Sequence, residues 1–318
     1  MENIREKISG VINANPTLNL YFVLKNDKKF EVKRADIDNE NAAPELCKMF
    51  IKQLNDKIIK NEDLTLTDLS SADERNNVIY KYDYDEYPEE LLAINNFEID
   101  TAVNYEKFNF NYDDVSKIFA FIIYIGNMNS GITLFKKHYP VTMIKRGTFL
   151  LYKRGERLVK FDDADVFRIN GDFNIFKIDN ELFIKDLPVL EKNCGFEELI
   201  VNRANRMLET ISKQGLVDNI DDLKDAVSDI SYAKKLSKVY TNSPVMKKNI
   251  SNRKMIEFCK NNPGLRNAFK YTDDGEKFIL DTKIAQKAFI KLLNDDYLIS
   301  ELTNSYYDSI AKDNIPTT

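Results

Sequence analysis

Between Ser231 and Lys270 stand ten lysines and arginines and a single acid, Glu257, in a chain whose formal net charge is -5. Cations at that density attract polyanions. Duplex DNA is one such polyanion: each phosphate neutralised releases condensed counterions, and the attraction asks only for several charges on one surface. The candidates for phosphate contact here are Lys234, Lys235, Lys247, Lys248, Arg253, Lys254, Arg266 and Lys270, with Lys238 beside them. A second block, Phe121 to Lys160, holds eight cations against Glu156 alone, and its candidates are Lys145, Arg146, Lys153, Arg154 and Arg157 at turn tips, where side chains project. Tyr139, Tyr152, Tyr240 and Tyr271 interleave with these cations and offer faces on which unpaired bases could stack. Lys234, Lys235 and Lys238 fall in the last turn of an expected helix, where cations also complement the dipole. Arg253 and Lys254, in an expected first turn, gain nothing from it and read more strongly as phosphate ligands.

Other chemistry is constrained by scarcity. The chain has one histidine, His138, so a multi-histidine zinc site is out of reach and a Ser-His-Asp or Cys-His site could use only that residue. Its three cysteines, Cys47, Cys194 and Cys259, are odd in number, far apart and absent from any C-x-x-C pair, which fits reduced thiols in a cytoplasmic protein. A metal-dependent nuclease would need two or three carboxylates around Mg²⁺ near a lysine. The available sets are Asp162, Asp163 and Asp165, or Asp179 and Glu181 with Lys185, and the Glu181 to Lys185 spacing is not the acid-x-lysine pattern of common nuclease cores. The residues alone leave binding of a polyanion without catalysis, metal or cofactor as the expectation, with a metal-dependent nuclease as the alternative.

The remaining charge is acidic and also blocked. Glu62 to Asp114 carries fifteen acids and three bases, and Asp162 to Asp229 sixteen acids and eight bases. Such faces suit the lysine- and arginine-rich cytoplasmic loops of a membrane protein. The chain's own longest apolar run, Ile118 to Ile125, is far shorter than the roughly 20 residues of a spanning helix, and Met1 to Gly10 has no apolar core of a secretory signal.

The elements expected to position these residues give an α+β protein. Residues 1–115 read as a small mixed α/β unit: a hairpin, Leu18 to Lys25 and Lys28 to Ile37, then a helix opened by Pro44, strands at Leu64 to Leu69 and Val78 to Tyr84, and a short helix behind Pro88. Residues 116–318 read as a second unit, made of an antiparallel β-meander over 116–186 and a helical part over 187–318. Helices are expected over Phe196 to Lys213 and, unbroken, over Asn219 to Val239. Ser251 then caps a short helix that stops at Pro263-Gly264. A hairpin turns at Asp274-Gly275, and Asp281 caps a last helix with Ile284, Ala288, Ile290 and Leu292 as its apolar residues. Helix, hairpin and helix with basic flanks is a winged-helix-like outline.

The segments Phe135-Lys136-Lys137-His138-Tyr139-Pro140-Val141, Arg154-Gly155-Glu156-Arg157 through Arg168-Ile169-Asn170-Gly171, Gly195-Phe196-Glu197-Glu198-Leu199, Ser231-Tyr232-Ala233-Lys234-Lys235 and Leu292-Leu293-Asn294-Asp295-Asp296-Tyr297 together resemble the KwaB family, the cytosolic component of the bacterial Kiwa anti-phage system. The resemblance runs from about Tyr80 to Lys312. It implies a DNA-binding defence protein that works with a membrane-embedded partner, KwaA, from the cytoplasmic side. No catalytic residue carries over from it. A homodimer or higher homo-oligomer is expected as well, since a symmetric pair doubles the phosphate contacts.

Overall fold

The computed structural model describes residues 1–27, 29–71, 76–99, 104–127, 130–139, 151–154, 157–160, 169–299 and 306–308. The fold is α+β, and the chain divides into two compact units: Met1–Leu66 with Asn77–Tyr82 and Glu89–Cys194, and Thr67–Asn76 with Asp83–Pro88 and Gly195–Thr318. The boundary expected after residue 115 falls instead inside one sheet.

That sheet has eight strands. In chain order the first unit's elements are α1 (Glu2–Asn13), β1 (Thr17–Asn26), β2 (Lys29–Arg34), α2 (Ala42–Leu54), β3 (Thr65–Asp68), β4 (Val78–Lys81), α3 (Glu89–Asn95), β5 (Ile118–Gly126), β6 (Gly131–Lys137), β7 (Leu151–Arg154), β8 (Arg157–Lys160), β9 (Ile175–Ile178), β10 (Glu181–Ile184) and α4 (Leu187–Asn193). The strand order is β2-β1-β5-β6-β9-β10-β4-β3, with β7 and β8 forming a separate two-stranded sheet. The expected meander is therefore present as β5-β6-β9-β10, interrupted by the β7–β8 hairpin. The first hairpin, expected to turn at Asn26-Asp27, keeps Asn26 paired with Lys29 at the end of β1 and reverses beyond it, with Asp27 in the left-handed region at φ 55.

Alternation builds the core. Leu20, Ile123, Leu134, Phe176 and Phe183 stand directly opposite one another in a row across five strands. Against that face pack Ile4, Ile8 and Val11 of α1 and Cys47, Phe50 and Leu54 of α2. The helix α1 lies where the sequence reading saw only charges; its three apolar residues recur at four- and three-residue spacing and are buried. All nine residues of β5 are buried, which is why its apolar run shows no alternation. At the end of the β5–β6 hairpin Gly126 faces Gly131, and a Cβ on Gly131 would lie 2.2 Å from the Tyr124 ring. No side chain fits under that ring.

The second unit contains α5 (Phe196–Lys213), α6 (Asp221–Val227), α7 (Ile230–Asn242), α8 (Pro244–Lys247), α9 (Asn252–Asn261), β11 (Lys270–Tyr271), β12 (Phe278–Ile279), α10 (Lys283–Leu293), β13 (Tyr297–Ile299) and β14 (Tyr306–Asp308). The helix expected over Asn219 to Val239 is broken in two: the Asp229 carboxylate accepts from the Ser231 amide and starts α7 afresh. Within α5, Arg203 is buried, pairs with Asp85, donates to Thr241 and lies 4.5 Å over the Tyr84 ring. No described helix is long and apolar enough to cross a membrane.

Cys47, Cys194 and Cys259 are all free and buried. Burial pushes the Cys194 and Cys259 thiols up to about 12 and raises Cys47 as well. Native protein at pH 8 is expected to react with a thiol reagent such as DTNB far more slowly than urea-unfolded protein; equal rates would contradict this burial. The raised thiols also set a sign for alkaline stability. Folded groups hold protons that unfolded ones lose near pH 9, so this contribution is whole below about pH 9 and is lost as pH rises toward about 12.

Candidate nucleic-acid interface

In the second unit the cations expected to bind phosphate are carried by α7, α8, α9 and the β11–β12 hairpin. Lys234, Lys235 and Lys238 lie in the body of α7, which runs on to Asn242, and its last turn holds no cation. The dipole account of these three lysines is therefore replaced by one of side-chain placement: Lys235 is exposed, and Lys234 and Lys238 are half-buried between it and the packed face formed by Tyr232, Ala233, Leu236 and Val239. Ser243 joins the next two elements. Its hydroxyl accepts from the Met246 amide to cap α8 and donates to the Leu293 carbonyl of α10, and Lys247 and Lys248 follow as exposed side chains.

The Ser251 hydroxyl caps α9 as expected, accepting from the Lys254 amide, and this puts exposed Arg253 and Lys254 in the first turn. Two cations at the positive end of a helix dipole are electrostatically unfavourable until an anion binds. The position of α9 is fixed by Asn252, whose side-chain amide donates to the Leu216 and Glu276 carbonyls. Phe278 lies at the centre of the hairpin's packing, against Phe269, Tyr271 and Phe289, while Arg266 is exposed on the turn that precedes it. The hairpin itself is shorter than expected, with two residues per strand.

Lys270 is the weakest of these candidates. Its ammonium lies 2.6 Å from Asp281, so a phosphate would have to displace a carboxylate. The same contact explains why Asp281 does not cap α10 as expected: Thr282 does, accepting from the Ala285 amide. Ile284, expected in the apolar stripe, is instead 73% exposed, and Ala285, Ala288, Phe289, Ile290, Leu292 and Leu293 form the buried face. Sequence reasoning missed the other face of this helix. Lys283, Lys287 and Lys291 recur at four-residue spacing, the first two exposed, and that spacing was the available signal beyond the end of the basic block.

The earlier basic block belongs to the first unit. Lys145 and Arg146 lie outside the described residues. Lys153, Arg154 and Arg157 fall on β7 and β8, at the closed end of the hairpin, with Arg154 directly opposite Arg157. Lys136 and Lys137 are not free for a ligand: Lys136 donates to Asn170 and the Asp172 carbonyl, Lys137 to the Phe119 and His138 carbonyls, and burial lowers both. His138 is buried with its ring edge-on to Phe121, and burial followed by the Lys137 charge lowers it. Of the tyrosines, Tyr139 and Tyr240 are exposed, whereas Tyr271 is half-buried with Lys260 over its ring.

The carboxylates considered for a metal are dispersed. Asp179 pairs with Lys7, Glu181 with Lys81, and Lys185 with Asp172. Asp162, Asp163 and Asp165 lie outside the described residues. Among the described residues no group of three metal-ligating side chains comes together.

The family model for Kiwa protein KwaB-like sequences matches residues 115–303. Among curated proteins, Kiwa protein KwaB of Escherichia coli O55:H7 (strain RM12579 / EPEC) is 30% identical over 316 residues, which covers 99% of this chain and 98% of that protein. No solved structure matches the chain. A match that starts just before β5 and runs past α10, together with identity along nearly the whole length, places this chain in the KwaB family of Kiwa proteins.

Proposed function

We propose that this protein is an anti-phage defence effector of the Kiwa system that binds duplex DNA without cleaving it, and that it does so while docked to a membrane-embedded partner of the KwaA kind. The observation that carries the reading is the run of exposed cations, Lys235, Lys247, Lys248, Arg253, Lys254 and Arg266, spread over successive elements of one compact unit in an acidic protein. Such a run suits the phosphate backbone because neutralisation needs number and spread more than exact geometry. Binding would block replication or expression of invading DNA by occupancy. The acidic stretches would face the basic cytoplasmic loops of the membrane partner and recruit the protein to the inner membrane, and pairing of two copies would double the cationic surface.

The test is a titration of labelled duplex DNA with the purified full-length chain across salt. The logarithm of the affinity is expected to fall linearly with the logarithm of salt concentration, with a slope of about -5 or steeper, at roughly 0.9 per phosphate contacted. A flat salt response, or no binding at low salt, would sink the reading. The same samples incubated with Mg²⁺ or Mn²⁺ and supercoiled DNA report on cleavage, and steady nicking would replace occupancy by catalysis.

A further inference from the structure

We infer that the N-terminal half of α10 enters the major groove of duplex DNA, with Lys283 and Lys287 on phosphates and Ile284 against the base edges. This rests on the reading of the protein as a DNA binder, and it gives that reading an element outside the basic block and a mode of contact. Exposure along α10 is divided by length. In its first five residues Lys283, Ile284 and Lys287 are exposed and only Ala285 is buried, whereas Ala288, Phe289, Ile290, Leu292 and Leu293 bury the rest. The buried half anchors the helix within the second unit. Phe289 packs on Phe278 of β12, the Leu293 carbonyl accepts from the Ser243 hydroxyl that caps α8, and the Gln286 amide donates to the Asp222 and Leu280 carbonyls. A helix held by its C-terminal half and presenting its N-terminal residues matches the way helix-turn-helix proteins read the major groove, where the first residues of the recognition helix reach base edges.

The presented half is built for a ligand and not for the fold. Ile284 is 73% exposed, so it adds nothing to the core, and its β-branched side chain is not a favoured helix former either. In the major groove an apolar side chain has a partner, the thymine methyl group. Lys283 stands in the first turn, which holds no acid, so its charge meets the positive end of the helix dipole and is unfavourable there until an anion binds. Lys283 and Lys287 form no ion pair among the described residues. The carboxylate immediately ahead of the helix, Asp281, is neutralised by Lys270 at 2.6 Å, which removes a repulsion that phosphate would otherwise meet. At 3.6 residues per turn Lys283, Ile284 and Lys287 lie within about 100° of one another around the axis, so one face offers two cations beside one apolar contact.

Two measurements on the full-length chain test this. The double variant Lys283→Glu with Lys287→Glu is expected to bind duplex DNA about 10-fold or more weakly than the unsubstituted chain at equal salt. Its melting temperature should be unchanged, because both side chains are exposed. The second measurement compares an A·T-rich duplex with the same duplex carrying uracil in place of thymine, which removes only the major-groove methyl groups. The unsubstituted chain is expected to lose roughly 3- to 4-fold in affinity for each methyl it buries, and Ile284→Ala to make the two duplexes equal. Should the double variant bind as tightly as the unsubstituted chain, or the unsubstituted chain fail to distinguish thymine from uracil, or Ile284→Ala keep the distinction, the assignment of α10 is overturned although DNA binding stands. Should the unsubstituted chain fail to bind duplex DNA at all, the underlying reading falls and this one with it.

Discussion

Joint reversal of Arg253, Lys254 and Arg266 to Glu is expected to lower affinity for duplex DNA by roughly 100-fold near physiological salt and to flatten the salt slope by about 3. The size follows from three lost phosphate contacts, each contributing about 0.9 to the slope, with repulsion from the new carboxylates adding to it. All three side chains are exposed, two in the first turn of α9 and one on the turn before the hairpin, so the folded state depends little on them. Glutamates at positions 253 and 254 also suit the positive end of the helix dipole better than the cations they replace, so α9 should be no less stable. Anisotropy titrations at several salt concentrations, beside a thermal melt, separate the two effects. Unchanged affinity with a native melt would remove the start of α9 and Arg266 from the interface.

How much of this was legible in the sequence varies with the kind of signal. Helix α5 and the capped start of α9 were read to within a residue, because a buried stripe at helical spacing and a Ser at the N-cap act locally. The continuous helix over Asn219 to Val239 was misread for an equally local reason. Leu223, Val227, Ile230, Ala233, Leu236 and Val239 keep a helical period across the break, and period alone does not reveal that the Asp229 carboxylate caps a new helix. Non-local facts were out of reach. Nothing in residues 17–26 says that β1 pairs with β5, about a hundred residues on, and that pairing is what carries the sheet across the boundary expected after residue 115.

The candidate interface follows the same division. The charge block falls on α7, α8 and α9, since charge is a property of composition. Which cations are committed elsewhere depended on tertiary contacts: Asp281 engages Lys270, and main-chain carbonyls hold Lys136 and Lys137. The α10 lysines were missed because a single acid, Asp281, and the hairpin acids Asp273, Asp274 and Glu276 close the basic run in sequence before the helix begins.

Phe176→Ala should destabilise the first unit by about 3–5 kcal/mol, the range for emptying a fully buried aromatic site. Phe176 has no exposed surface and sits fourth in the row Leu20, Ile123, Leu134, Phe176 and Phe183. Its ring stacks on Phe183 at 4.9 Å and meets Phe173 edge-on at 6.1 Å, so truncation removes dispersion contacts on two sides as well as apolar burial. Collapse cannot close the gap cheaply. Neighbours in the row are fixed by backbone pairing on both flanks, and strands about 4.8 Å apart do not slide together when one side chain shrinks. Phe176→Leu, which keeps most of the volume, should cost markedly less. Urea unfolding followed by the tyrosine signal and by far-ultraviolet circular dichroism measures both variants. A loss below about 1 kcal/mol for the alanine variant would mean that this row is not the centre of the core, and the register that aligns its five residues would have to be wrong.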